Sequence, residues 1–105
     1  MDDNSIQDAY FISLIYSISQ AAMMQLGKVS SPITGKIERD LNQARTSIDM
    51  LIMLKEKTKG NLSKSEDVFI NDILSTLQLN YAEEADKSIP ATNIKETDTS
   101  TRDKN

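Results

Sequence analysis

Ala9-Tyr10-Phe11-Ile12-Ser13-Leu14-Ile15-Tyr16-Ser17-Ile18-Ser19-Gln20-Ala21-Ala22-Met23-Met24-Gln25-Leu26-Gly27 runs without a charged side chain. Projected at about 100° per residue, Phe11, Ile15, Ile18, Ala22 and Leu26 fall on one stripe, flanked by Ile12, Leu14, Ala21 and Met23. Only a seam holding Ser13, Ser17 and Gln20 is mildly polar. The spacing predicts a helix that is apolar over more than half its circumference, and such a helix must be covered on most of its surface. Ser5 with Asp8 has the form of a capping box ahead of the run. Gly27 offers the left-handed conformation that ends a helix without a Cβ clash. The run is long enough to suggest a membrane span. Its Ser and Gln residues interrupt that reading, and acids on one flank with a lone Lys28 on the other give the wrong charge preference, so a membrane partner is disfavoured.

Downstream, Pro32-Ile33-Thr34-Gly35 fits a β-turn in a connector from Lys28 to Arg39. Asp40 with Gln43 forms a second capping box and opens a helix from Leu41 to about Thr58, stopped at Gly60-Asn61. Leu41, Ala44, Ile48, Leu51 and Ile52 share its buried face, and Met50 with Leu54 adds a secondary apolar strip. Ser63 with Glu66 makes a third capping box, so a helix begins near Lys64. Ile70, Ile73, Leu74, Leu77 and Tyr81 repeat along it at three- and four-residue steps until about Ala85 or Asp86. From Ser88 to Asn105 the chain is polar, with too little apolar area to offset its ordering entropy, and reads as a disordered tail. The expected fold is all-α: a helical domain over residues 5–87, built as a three-helix bundle or as a helical hairpin plus an N-terminal helix.

Composition narrows the chemistry. The 105 residues include no Cys and no His, which removes disulfides, thiolate nucleophiles, the commonest transition-metal ligands and the usual general base near neutral pH. The expectation is a noncatalytic protein without cofactor or metal. Twelve basic residues against 16 acidic ones leave a net charge of -4, so no global basic field attracts a phosphate backbone and nucleic acid is a disfavoured partner. The acidic start Met1-Asp2-Asp3-Asn4 is unlike a secretory signal, and a cytoplasmic location is expected.

The need to cover the first helix leads to a partner. Leaving three or four of its large apolar side chains in water forfeits burial worth about 1.5 to 3 kcal/mol each and invites aggregation. A second copy is the simplest cover, and a two-fold dimer is the commonest closed form. Phe11, Leu14, Ile15, Ile18, Ala22 and Leu26, with Met50 and Leu54, are the expected self-association interface. An unlike protein partner is the alternative, as is a monomer in which this helix is simply central.

Local chemistry is sparse. Thr34-Gly35-Lys36 can cradle an anion on its backbone N–H groups, but it lacks the spacing and the preceding strand of a P-loop, and a turn that aims the first helix at the second is the favoured reading. Lys55, Lys57, Lys59 and Lys64 cluster at the second helix end, where they suit the negative end of the helix dipole or can meet phosphate. With Lys36 they are the candidate anion or partner contacts, and docking on a nucleic-acid machine such as the ribosome is the runner-up function. Arg45 and Asp49 lie one turn apart, either as an exposed pair, which their polar face favours, or as a buried pair that sets register at an interface. Met23, Met24, Met50 and Met53 suit either core gaps or an adaptable groove. Glu83, Glu84 and Asp86 diverge around a helix and read as a solvated end rather than a magnesium site.

Taken as an ordered set, Phe11, Gln20-Ala21, Leu26-Gly27, Pro32-Ile33-Thr34-Gly35-Lys36, Leu41, Ala44-Arg45, Ile48-Asp49 and Leu51 resemble the bacterial domain-of-unknown-function family numbered eighteen forty-four. The likeness is strongest at Glu56-Lys57-Thr58-Lys59-Gly60-Asn61-Leu62 and continues through Glu66, Leu74, Leu77 and Tyr81, covering roughly Tyr10 to Lys87. The resemblance implies a small helical bacterial protein and supplies no catalytic residues.

Overall fold

The computed structural model describes residues 3–88, all of them in three helices and their connections: α1 Asp3–Gln25, α2 Leu41–Lys57 and α3 Lys64–Ser88. Each helix packs on the other two. The expected all-α, three-helix architecture is the one observed. The polar tail expected after Ser88 lies outside the described residues.

α1 starts earlier than the Ser5–Asp8 motif predicts. Asp3 and Asn4 are already helical, which places Ser5 inside the first turn rather than at the cap. At the other end Gly27 adopts φ +82°. Its N–H donates to Met24 O at 2.9 Å and the Lys28 N–H donates to Met23 O at 2.9 Å, the paired bonds of a Schellman termination. The Asp40 N–H then donates to Gln25 O at 2.7 Å, so the connector returns to the place it left and satisfies another terminal carbonyl of α1.

That last bond changes the start of α2. Asp40 Oδ1 accepts from the Gln43 N–H at 3.1 Å, as a cap should. The reciprocal arm of the expected capping box is not made, because the Asp40 N–H is already spent on Gln25. Gln43 instead accepts from Gln25 Nε2 at 3.4 Å. α3 shows the complete box: Ser63 N–H donates to Glu66 Oε1 at 2.8 Å, and Glu66 N–H donates to Ser63 Oγ at 3.2 Å. The Pro32–Gly35 turn is wider than expected. Gly35 N–H reaches back four residues to Ser31 O at 2.7 Å, while Ser31 Oγ accepts from the Ile33 N–H at 3.2 Å.

The core draws Ile15 and Ala22 from α1 with Leu26 just past its end, Ala44, Ile48 and Leu51 from α2, and Ile70, Leu74 and Leu77 from α3. Ile52, expected in that face, stands 36% exposed at the rim, while Ser47 is buried in its place. The Ser47 hydroxyl is satisfied by donating to Gln25 Oε1 at 2.7 Å, as a buried polar group requires. α3 runs past its expected stop to Ser88.

A Cβ at position 27 would stand 3.3 Å from Arg39 Cβ, whereas one at Gly60, also left-handed, meets nothing. Gly27→Ala should therefore destabilise by more than about 1 kcal/mol and by more than Gly60→Ala does. Urea denaturation of the two variants checks the order.

Candidate interaction site

Two surfaces and one buried charge cluster hold the residues that sequence reasoning singled out. The first surface is the outer edge of the α1–α2 seam. The bonds from Gln25 to Gln43 and Ser47 place α2 on the Gln25 side of α1, antiparallel to it. Leu14, Ile18, Ala21 and Gln25 follow one another at four-, three- and four-residue steps, as do Gln43, Ser47, Met50 and Leu54. Side chains at those steps line one stripe of a helix. The polar ends of the two stripes meet at Gln25 and Ser47, so the apolar ends run together along the same edge. Leu14 is 48% exposed and Met50 44%, while Phe11, Ile18 and Leu54 are half-buried.

The remaining members of the expected interface need correction. Ile15, Ala22 and Leu26 have no exposed area and are sealed inside the chain's own bundle, so no second molecule can touch them. Their stripe was read correctly as apolar, but α2 and α3 already cover it.

The lysine set also divides. Lys55, Lys59 and Lys64 line one open cleft of about 730 Å³ at the α2–α3 turn, together with Glu56, Leu62 and Asp67. Lys55 is half-buried and the other two are exposed. Lys57 lies outside the cleft lining, and Lys36 sits in the α1–α2 connector at the opposite end of α2. At about 1.5 Å per residue the length of α2 keeps Lys36 apart from the others. None of these five lysines forms an ion pair among the described residues. Arg45 and Asp49 are both exposed and are not paired with each other.

The feature that sequence reasoning missed is Glu84. The sequence suggests a solvated helix end there, yet Glu84 is 7% exposed. Its Oε2 lies 2.9 Å from Lys28 Nζ and 2.9 Å from Lys87 Nζ, and its Oε1 lies 3.1 Å from Arg39 Nε. Arg39 Nη2 also donates to the Glu84 main-chain carbonyl at 2.6 Å. Glu84 stands seven residues after Leu77 and so continues the buried face of α3, which was the available signal. Lys28 and Arg39 are the two ends of the α1–α2 connector, and one carboxylate holds both. The hydrogen bond from Lys28 and then that from Lys87 depress its pKa from 4.5 to about 2. The same bond from Glu84 raises the pKa of Lys28.

Among the described residues no group of three His, Cys, Asp or Glu is placed to hold a metal, and no helix is long and apolar enough to cross a membrane. The fold and its surfaces define a small all-α three-helix module whose candidate contacts lie on helix edges and turns. The chain belongs to the family described as Domain of unknown function (DUF1844), whose model matches residues 8–83. No curated protein and no solved structure matches it.

A carboxylate with a depressed folded pKa stabilises fully above its unfolded value and loses that contribution as pH falls through the folded one. Part of the acid sensitivity of folding should therefore fall between pH 4.5 and about 2. Glu84→Gln should lower stability at neutral pH and flatten that limb, measured as the thermal midpoint across a pH series.

Proposed function

We propose that this chain is a noncatalytic interaction module that forms a homodimer through the outer edge of its α1–α2 seam. The supporting observation is the strip that includes Leu14 of α1, a helix without a charge from Ala9 to Gln25, and Met50 of α2, each nearly half exposed. Tyr10 at 71% and Met53 at 43% extend the apolar surface on the same two helices. Burying such a strip against its own copy removes apolar area from water at both partners in one two-fold contact. The absence of His and Cys supports a noncatalytic role and a reducing, cytoplasmic setting.

Sedimentation of the purified chain tests this reading. The wild type should self-associate at micromolar concentration, to a dimer or beyond. Leu14→Asp combined with Met50→Asp should remove the edge contact and lower the sedimenting mass at a given concentration, with unchanged helical circular dichroism, since both positions are exposed. A folded wild type that stays monomeric across the micromolar range refutes the proposal.

A second reading has one observation in its favour: Lys55, Lys59 and Lys64 share a cleft and carry no ion pair among the described residues. In this reading the α2–α3 turn docks on an anionic partner such as a ribonucleoprotein. Reversing the three charges to Glu should abolish co-sedimentation with ribosomes and RNA. Binding that persists unchanged, or that is insensitive to salt, removes this reading.

A further inference from the structure

The most exposed large apolar side chain among the described residues is not on a helix. Ile33 stands 92% exposed at the tip of the α1–α2 connector. The loop carrying it is fastened by a set of short-range bonds. Ser31 N–H donates to Lys36 O at 2.8 Å, Gly35 N–H to Ser31 O at 2.7 Å, and Ile33 N–H to Ser31 Oγ at 3.2 Å. Thr34 Oγ1 donates to Glu38 Oε2 at 2.7 Å. Beyond these, Glu84 holds Lys28 and Arg39 on either side. A tip fixed in this way gives up little conformational freedom on binding. Lys36, three residues on, is exposed and forms no ion pair among the described residues.

On another face, between α1 and α3, lies a mostly apolar cleft of about 270 Å³ walled by Met23, Phe69, Ile73 and Leu77. One charged residue, Asp72, lines it, and it too forms no ion pair among the described residues. Tip and cleft are complementary in both respects, an aliphatic side chain for an apolar recess and a lysine for an aspartate. Within one chain they do not meet, since Ile33 stands in solvent.

We propose that Ile33 of one copy inserts into the α1–α3 cleft of a second copy, with Lys36 of the first pairing with Asp72 of the second. The contact is distinct from the α1–α2 edge and does not depend on it. Where two copies exchange loops reciprocally, the contact is two-fold and closes. Combined with the edge contact, it joins dimers into larger assemblies.

Zero-length carbodiimide coupling of the wild-type chain tests this, because it forms an amide only between an amine and a carboxylate already in contact. An equal mixture of ¹⁵N-labelled and unlabelled protein is coupled and digested, and the cross-linked peptides are read by mass spectrometry. The expected product is a mixed-isotope Lys36–Asp72 peptide. Its yield should fall at least about tenfold in Ile33→Asp, which removes the apolar insertion. Lys36→Asp alone and Asp72→Lys alone should each abolish the cross-link, and mixing the two variants should restore it, since the mixture again offers a lysine tip to an aspartate cleft. Leu14→Asp with Met50→Asp should leave the cross-link in place, separating this contact from the edge dimer. Covalent dimers without a Lys36–Asp72 peptide, the same peptide found only within single chains, or a yield indifferent to Ile33→Asp each overturn the proposal.

Discussion

Ile15, Ala22 and Leu26 lie without exposed area between α2 and α3, and the rest of the molecule is arranged around that line of contact. Burial at about 25 cal/mol per Å² is the one large favourable term available to a chain with no disulfide and no metal cluster among its described residues. The flanking helices contribute three buried side chains each to meet it. Because α1 carries further apolar side chains outside that line, two neighbours do not exhaust it. Tyr10, Leu14 and Tyr16 stay at least 48% exposed, and the case for a partner rests on that surplus.

Glu84 gives the bundle its end. The carboxylate draws on residues 28, 39 and 87, and through them fastens α3 to both ends of the connector between α1 and α2. Removing its basic partners would leave the buried Glu84 carboxylate poorly solvated, which makes the cluster unlike an isolated surface pair. Its consequence reaches the connector, whose ends are anchored and whose tip is braced internally by Ser31 and Thr34. An excursion from Lys28 to Arg39 that would otherwise be slack becomes a defined projection.

What was legible in the sequence is what depends on near neighbours. The Ser63–Glu66 box needs only four residues and was read in full. Gly27 ends α1 because φ +82° suits a residue without a Cβ, and the three- and four-residue spacing of Ile70, Leu74 and Leu77 finds the buried face of α3. Features that failed to show were those decided by distant segments. Gln43 lost its reciprocal bond because Asp40 is claimed by Gln25 from the preceding helix. Glu84 looked solvated because the arginine it meets is 45 residues away in sequence. Among the interface candidates, hydropathy alone marked Ile15 and Leu14 equally. Only the placement of α2 and α3 separates the buried one from the half-exposed one.

The small hydrogen bond between Ser47 and Gln25 also decides how far along α1 the second helix sits. An apolar seam tolerates sliding, since one aliphatic contact resembles the next. Ratcheting α2 by one turn, about 5.4 Å, would drag the serine hydroxyl into hydrocarbon and leave the glutamine oxygen facing nothing, a penalty of roughly 1 to 3 kcal/mol for each stranded group. One pair of modest polar side chains thus acts as a detent in an otherwise slippery joint, selecting a single alignment from several that the greasy residues alone would accept.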